Sequence, residues 1–89
     1  MGEFFVYILQ NWARDRYYVG FCKDLEKRLV KHNNGLVRST KFGCPWKVVY
    51  TEAYGTRQEA YRRERQIKSY KGGEAFKKLI TNNRAVVYR

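Results

Sequence analysis

The sequence predicts a single domain, residues 1–89, of mixed α/β type in the α+β arrangement. Three observations predict it. Eighty-nine residues suffice for one modest core and no second one. Two apolar, aromatic-rich runs near the start flank a short polar turn, the pattern of an antiparallel hairpin. Behind them come helix-start signals at Asp24 and Thr56 and helix-stop signals at Asn33-Asn34-Gly35 and Gly72-Gly73.

Residues 4–10 are almost continuously apolar, as in a strand covered on both faces, so this strand is expected at the centre of the sheet. Alternation puts Phe5, Tyr7 and Leu9 on one face and Phe4, Val6 and Ile8 on the other. After the polar stretch 11–15, residues 16–21 resume strand character, with Tyr18 and Gly20 on a shared face where glycine lets a neighbour approach the backbone. Asp24 is a plausible N-cap for a short helix carrying Leu25 and Leu29, with Arg28 and His32 four apart beside that stripe. Residues 37–45 read as a loop and 46–54 as a third strand. Thr56-Arg57-Gln58-Glu59 is a capping box and opens a second helix reaching about Tyr70. At about 100° per residue, Ala60, Glu64 and Ile67 share one narrow arc, while Arg62, Arg65 and Ser69 point away. A last amphipathic segment carries Phe76, Leu79 and Ile80.

The net charge of +11, from 19 Lys and Arg against 8 Asp and Glu, draws polyanions toward the chain and makes nucleic acid the expected partner. No apolar stretch is long enough to span a bilayer, and the basic residues are spread over all elements, so no membrane role is expected. Cys22 and Cys44 lack zinc-type spacing, and no secretory signal pattern opens the chain, which points to a cytoplasmic protein with reduced thiols.

Five side chains stand out as a candidate site. Glu64 lies on the inward face of its helix, where an unpaired carboxylate would lose several kcal/mol of hydration, on the order expected for a buried charge. It either pairs with Lys68 at i+4 on a solvated rim or holds a hard divalent cation, Mg²⁺ or Mn²⁺, that reaches a substrate phosphate. Arg28 offers a fork for phosphate, and His32 can accept a proton near neutral pH. Tyr7 and Tyr18 taken singly are ordinary strand aromatics. A phenol with a pKa of about 10 needs a nearby cation to act as a base at neutral pH. The remaining cations, among them Arg62, Arg63, Arg65, Lys77 and Lys78, are candidates for backbone contacts or ordinary surface.

These residues carry a family resemblance. Phe5-Val6-Tyr7 and Tyr18-Val19-Gly20, the arginine-bearing segment from Lys23 to Gly35, Gly43 to Tyr50, and Arg63-Glu64-Arg65-Gln66-Ile67-Lys68 together resemble the GIY-YIG nuclease superfamily. The likeness covers nearly the whole chain and is greatest to its small standalone, UvrC-like (UPF0213-type) members. Phe5 replaces the first glycine of the family motif, and Asn82 and Asn83 are the candidates for its late asparagine. The resemblance implies a three-stranded antiparallel sheet flanked by helices and metal-dependent endonuclease cleavage of DNA, directed by structure or damage as in DNA repair. It casts Tyr7 as general base or relay, Tyr18 and His32 as positioning the water, Arg28 on the scissile phosphate and Glu64 on the single divalent cation. Lys68, Arg62, Arg65, Asn82 and Asn83 would contact nucleic acid, with no small-molecule cofactor and a possible protein partner for targeting. A non-catalytic nucleic-acid-binding module and an RNA-associated basic protein are the competing expectations.

Overall fold

A computed structural model of the chain describes residues 3–13 and 16–81. The expected late asparagines, Asn82 and Asn83, lie outside the described residues. Three strands, β1 (Phe4–Asn11), β2 (Tyr17–Cys22) and β3 (Trp46–Tyr54), form one antiparallel sheet in the order β2-β1-β3. The continuously apolar strand is therefore central, as its pattern requires: Val6, Tyr7, Ile8 and Leu9 are all fully buried. Three helices complete the fold, α1 (Leu25–Asn33), α2 (Arg57–Ser69) and α3 (Glu74–Thr81). Asp24 caps α1 by accepting from the Lys27 amide, and Thr56 caps α2 by accepting from that of Glu59.

Two cores lie on the two faces of the sheet. Val6, Ile8 and Val19 pack with Ala60 and Ile67 of α2 and Phe76 of α3. Tyr7 and Leu9 pack with Leu25 of α1 and with Trp46. The split follows the alternation of β1 read from the sequence.

β3 departs from simple alternation. Leu9 pairs with Val48 but Ile8 pairs with Tyr50, so Val49 is an extra residue that breaks the register. Because side chains alternate with a period of two, this bulge moves everything after it to the other face. Trp46 and Val48 consequently join the α1 core, whereas Tyr50 and Tyr54 join the α2 core and bring Glu52 with them. An unbroken alternation would have kept Trp46, Val48, Tyr50, Glu52 and Tyr54 together.

Candidate active site

The site is built on β2, an edge strand of the sheet. A cavity of about 440 Å³ runs along it, lined by Tyr18, Gly20 and Cys22 from the α1 face, by Arg28 of α1, and by Lys23, Arg57 and Glu64 among others. One strand edge thus brings a phenol, a guanidinium and a carboxylate to a common wall. Glu64 is 8% exposed and shares the buried side of α2 with Ala60 and Ile67.

Tyr7 and His32 stand behind this wall. Both are fully buried, and the Tyr7 hydroxyl lies 3.0 Å from His32 Nε2. His32 Nδ1 is 2.7 Å from Thr40 Oγ1, whose own hydroxyl donates to the Val37 carbonyl at 3.4 Å. The network assigns the tautomer: Nδ1–H donates to Thr40, leaving Nε2 to accept from Tyr7. Burial, with help from the Arg28 charge, pushes His32 down to about 4, so the ring is neutral at pH 7. The Tyr18 ring sits 4.9 Å from that of His32 and 6.2 Å from that of Tyr7.

Gly20 lets Tyr7 sit directly behind the cavity wall. A Cβ at this position would fall 2.7 Å from the Tyr7 hydroxyl and 3.0 Å from Tyr18 Cε2. The bare Cα is therefore the thin wall between the phenol and the cavity that Gly20 lines.

The electrostatics modify the expectation for Tyr7. Burial raises its phenol well above the ordinary value, and the neighbouring Arg28 guanidinium pulls it back only in part. Burial outweighs the cation, so Tyr7 in this structure is a protonated phenol and a hydrogen-bond donor to His32. Tyr7 in turn raises the pKa of Arg28, whose charge is permanent. Burial also pushes the Cys22 thiol up to about 11, which keeps it neutral at pH 7.

Two features concern charged ligands. Arg28 Nε is buried without a hydrogen-bond partner among the described residues, a donor left for an acceptor that enters the cavity. The Glu64 carboxylate holds the Lys68 ammonium at 3.1 Å, so a cation already stands beside it. Among the described residues no group of three or more His, Cys, Asp and Glu side chains converges. A lone carboxylate fits Mg²⁺ or Mn²⁺ held largely by water and substrate phosphate, and does not fit an all-protein cage.

Of the cations expected to meet nucleic acid, Lys68 lines a second cavity of about 310 Å³ that also includes Tyr18 and Lys71. Arg62 and Arg65 are exposed on α2, Arg65 lying over the Tyr61 ring, and they line neither of these cavities. Lys23 and Arg57 line the main cavity instead. Their signal in the sequence was position: each sits where a strand or loop hands over to a helix, next to Asp24 and Thr56. Thr40, the partner of His32, lies in a loop and carries no local signal.

The fold and site define a small basic α+β domain in which a phenol, a guanidinium and a carboxylate line one cavity at the edge strand, with an imidazole buried behind it. The comparisons with known proteins identify the class further: residues 3–77 match the family model of the GIY-YIG catalytic domain, and the chain belongs to that family. It is 40% identical over 72 residues to a UPF0213 protein of Staphylococcus saprophyticus, covering 79% of this chain and 85% of the relative. A UPF0213 protein of Staphylococcus epidermidis is 43% identical over 72 residues with the same coverage. The solution NMR structure of a UPF0213 protein from Bacillus halodurans superposes with a TM-score of 0.53 at 26% identity, covering 92% of this chain and 85% of that one. The sheet, its flanking helices and the standalone UPF0213-type group are those the sequence pointed to. Among the described residues, no helix is long and apolar enough to cross a membrane.

Proposed function

We propose that the protein is a metal-dependent DNA endonuclease that hydrolyses one phosphodiester at the β2 edge. The observation that carries this reading is the cavity wall shared by Tyr18, Arg28 and Glu64, with Arg28 Nε buried and unpartnered. In this reading the scissile phosphate enters against Arg28 and supplies the acceptor that Nε lacks, while the guanidinium neutralises charge that grows on phosphorus. Lys23 and Arg57 meet the flanking backbone. Tyr18 orients the attacking water. Tyr7 passes a proton to the neutral His32 while receiving one from the water side, across the gap that Gly20 leaves. This makes Tyr7 a relay and His32 the final acceptor, with Thr40 holding the ring in the accepting tautomer. Glu64 would hold Mg²⁺ or Mn²⁺, which when bound supplies positive charge to the leaving 3′ oxygen.

The test is cleavage of supercoiled, branched and single-stranded DNA with Mg²⁺, Mn²⁺ or chelator, beside Glu64→Ala and Arg28→Ala. Metal-dependent cutting lost in both variants supports the enzyme, and the preferred substrate reads out whether DNA structure directs it. Equal residual cutting in wild type and Glu64→Ala would sink the proposal. DNA binding that weakens with salt but never leads to cutting would replace it with a binding module.

A further inference from the structure

Beside the catalytic cavity, α2 carries a polar cluster that the chemistry above does not use. Arg63 donates from Nε to Glu52 Oε1 at 2.8 Å and from Nη2 to Oε2 at 2.9 Å, a two-pronged pair. The Tyr54 hydroxyl donates to Oε1 at 2.7 Å, and that of Tyr50 donates to Oε2. Gln66 accepts the remaining Arg63 contact, Nη1 to Oε1 at 2.9 Å. Both oxygens of Glu52 therefore receive two donors each.

The place of this cluster matters more than its strength. Arg63 immediately precedes Glu64, so the two side chains leave α2 about 100° apart. One reaches to β3 and the other to the cavity along β2, the two opposite edges of the sheet. Apart from Glu64 itself, the buried residues of α2 are Ala60 and Ile67, a narrow apolar contact for a helix of 13 residues. Tyr61 and Arg57 meet the Phe21 ring of β2, so it is on the β3 side that the Arg63–Glu52 pair fixes the rotation of the helix. A turn of about 20° would displace a group ~5–6 Å from the axis by about 2 Å, far beyond the ~0.5 Å tolerance of a working site.

We propose that Glu52 and Arg63, with the Tyr50 and Tyr54 hydroxyls, are positioning residues that lock the rotation of α2 and thereby aim Glu64 at the metal. The bulge at Val49 belongs to the device, because it turns Glu52 to the face on which α2 packs. The inference rests on the reading of Glu64 as the metal carboxylate, and it is tested apart from cleavage.

Isotope-labelled protein saturated with a short phosphorothioate DNA that resists cleavage is titrated with Mn²⁺, and paramagnetic broadening of the Glu64 and Gly20 amide signals is followed in wild type, Glu52→Gln, Arg63→Lys and Glu64→Ala. Thermal melts establish the folded fraction of each. The expected result is that Glu52→Gln and Arg63→Lys raise the half-broadening Mn²⁺ concentration about tenfold, the lower end of what outer-shell partners contribute. Their KM for DNA should stay within about twofold, since the clamp touches no phosphate site. Should either variant fail to fold, Tyr54→Phe removes one donor from the intact ion pair and is expected to raise the midpoint by about two- to threefold. Folded variants with a wild-type Mn²⁺ midpoint, whatever their melting temperature, would overturn the clamp and leave the metal reading standing. Broadening that survives in Glu64→Ala would overturn both.

Discussion

Acidification isolates His32, because it is the one histidine in the chain and its ordinary pKa of about 6.5 separates it from the carboxylates. Burial, first, and the Arg28 charge, second, lower it to about 4 in the folded protein. A group whose folded pKa is depressed binds protons more readily when unfolded, so its contribution is complete above about pH 6.5 and fades as pH falls toward 4. Between pH 7.5 and 5 this linkage removes about 2 kcal/mol of stability, equivalent to roughly 10 °C in melting temperature for a domain of this size. Urea denaturation at half-unit steps of pH measures it directly. His32→Gln should lower stability overall by losing the Tyr7 and Thr40 hydrogen bonds, yet it should flatten the slope in this window. A wild-type change below about 0.5 kcal/mol between pH 7.5 and 5, or an equal slope in His32→Gln, would refute the assignment of a buried neutral imidazole.

Four further outcomes are expected. Gly20→Ala puts a methyl 2.7 Å from the Tyr7 hydroxyl, and should destabilise by about 1–3 kcal/mol and depress cleavage; unchanged denaturation would show that the Tyr7 contact is slack. Tyr7→Phe keeps the ring but leaves His32 Nε2 unpaired, costing about 1–3 kcal/mol and about 10²-fold or more in rate, so full activity would exclude the relay. Lys68→Met frees the Glu64 carboxylate and should lower the Mg²⁺ concentration for half-maximal cleavage about two- to fivefold, read from rate against metal concentration. Arg28→Met removes a buried unpartnered donor and should hold or raise stability by up to about 1 kcal/mol while abolishing cleavage, which paired denaturation and activity measurements would check.

Much of this was legible in the sequence. The alternation of β1 assigned both faces of the central strand, and the arc of Ala60, Glu64 and Ile67 placed a carboxylate inward on α2, because both follow from the periods of strand and helix. What stayed hidden depended on contacts across the fold. Nothing in the run from Trp46 to Tyr54 marks the bulge at Val49, since either register buries aromatic residues, and without it Glu52 has no visible partner. The sign of the Tyr7 shift was also out of reach: Arg28 could be seen beside it on the pattern, but the depth of burial that outweighs Arg28 could not. Thr40 becomes meaningful only when the loop folds back to His32.

The site keeps its charges incompletely paired in the free protein, and this is informative about what it awaits. Arg63, next to Glu64 in sequence, and Glu52 on β3 are well supplied with partners, so the fold is capable of satisfying a half-buried ion pair. In the cavity the same chain leaves Arg28 Nε without an acceptor and gives Glu64 a half-exposed lysine at i+4, a pairing of only a few tenths of a kcal/mol, as is typical on helices. Each deficit matches one half of a metal-bound phosphodiester: an anion for Arg28 and a stronger cation for Glu64. On the proposed reading, hydrogen-bonding energy withheld from the folded state would be available in that complex, where it would fall on the phosphate whose charge changes during hydrolysis.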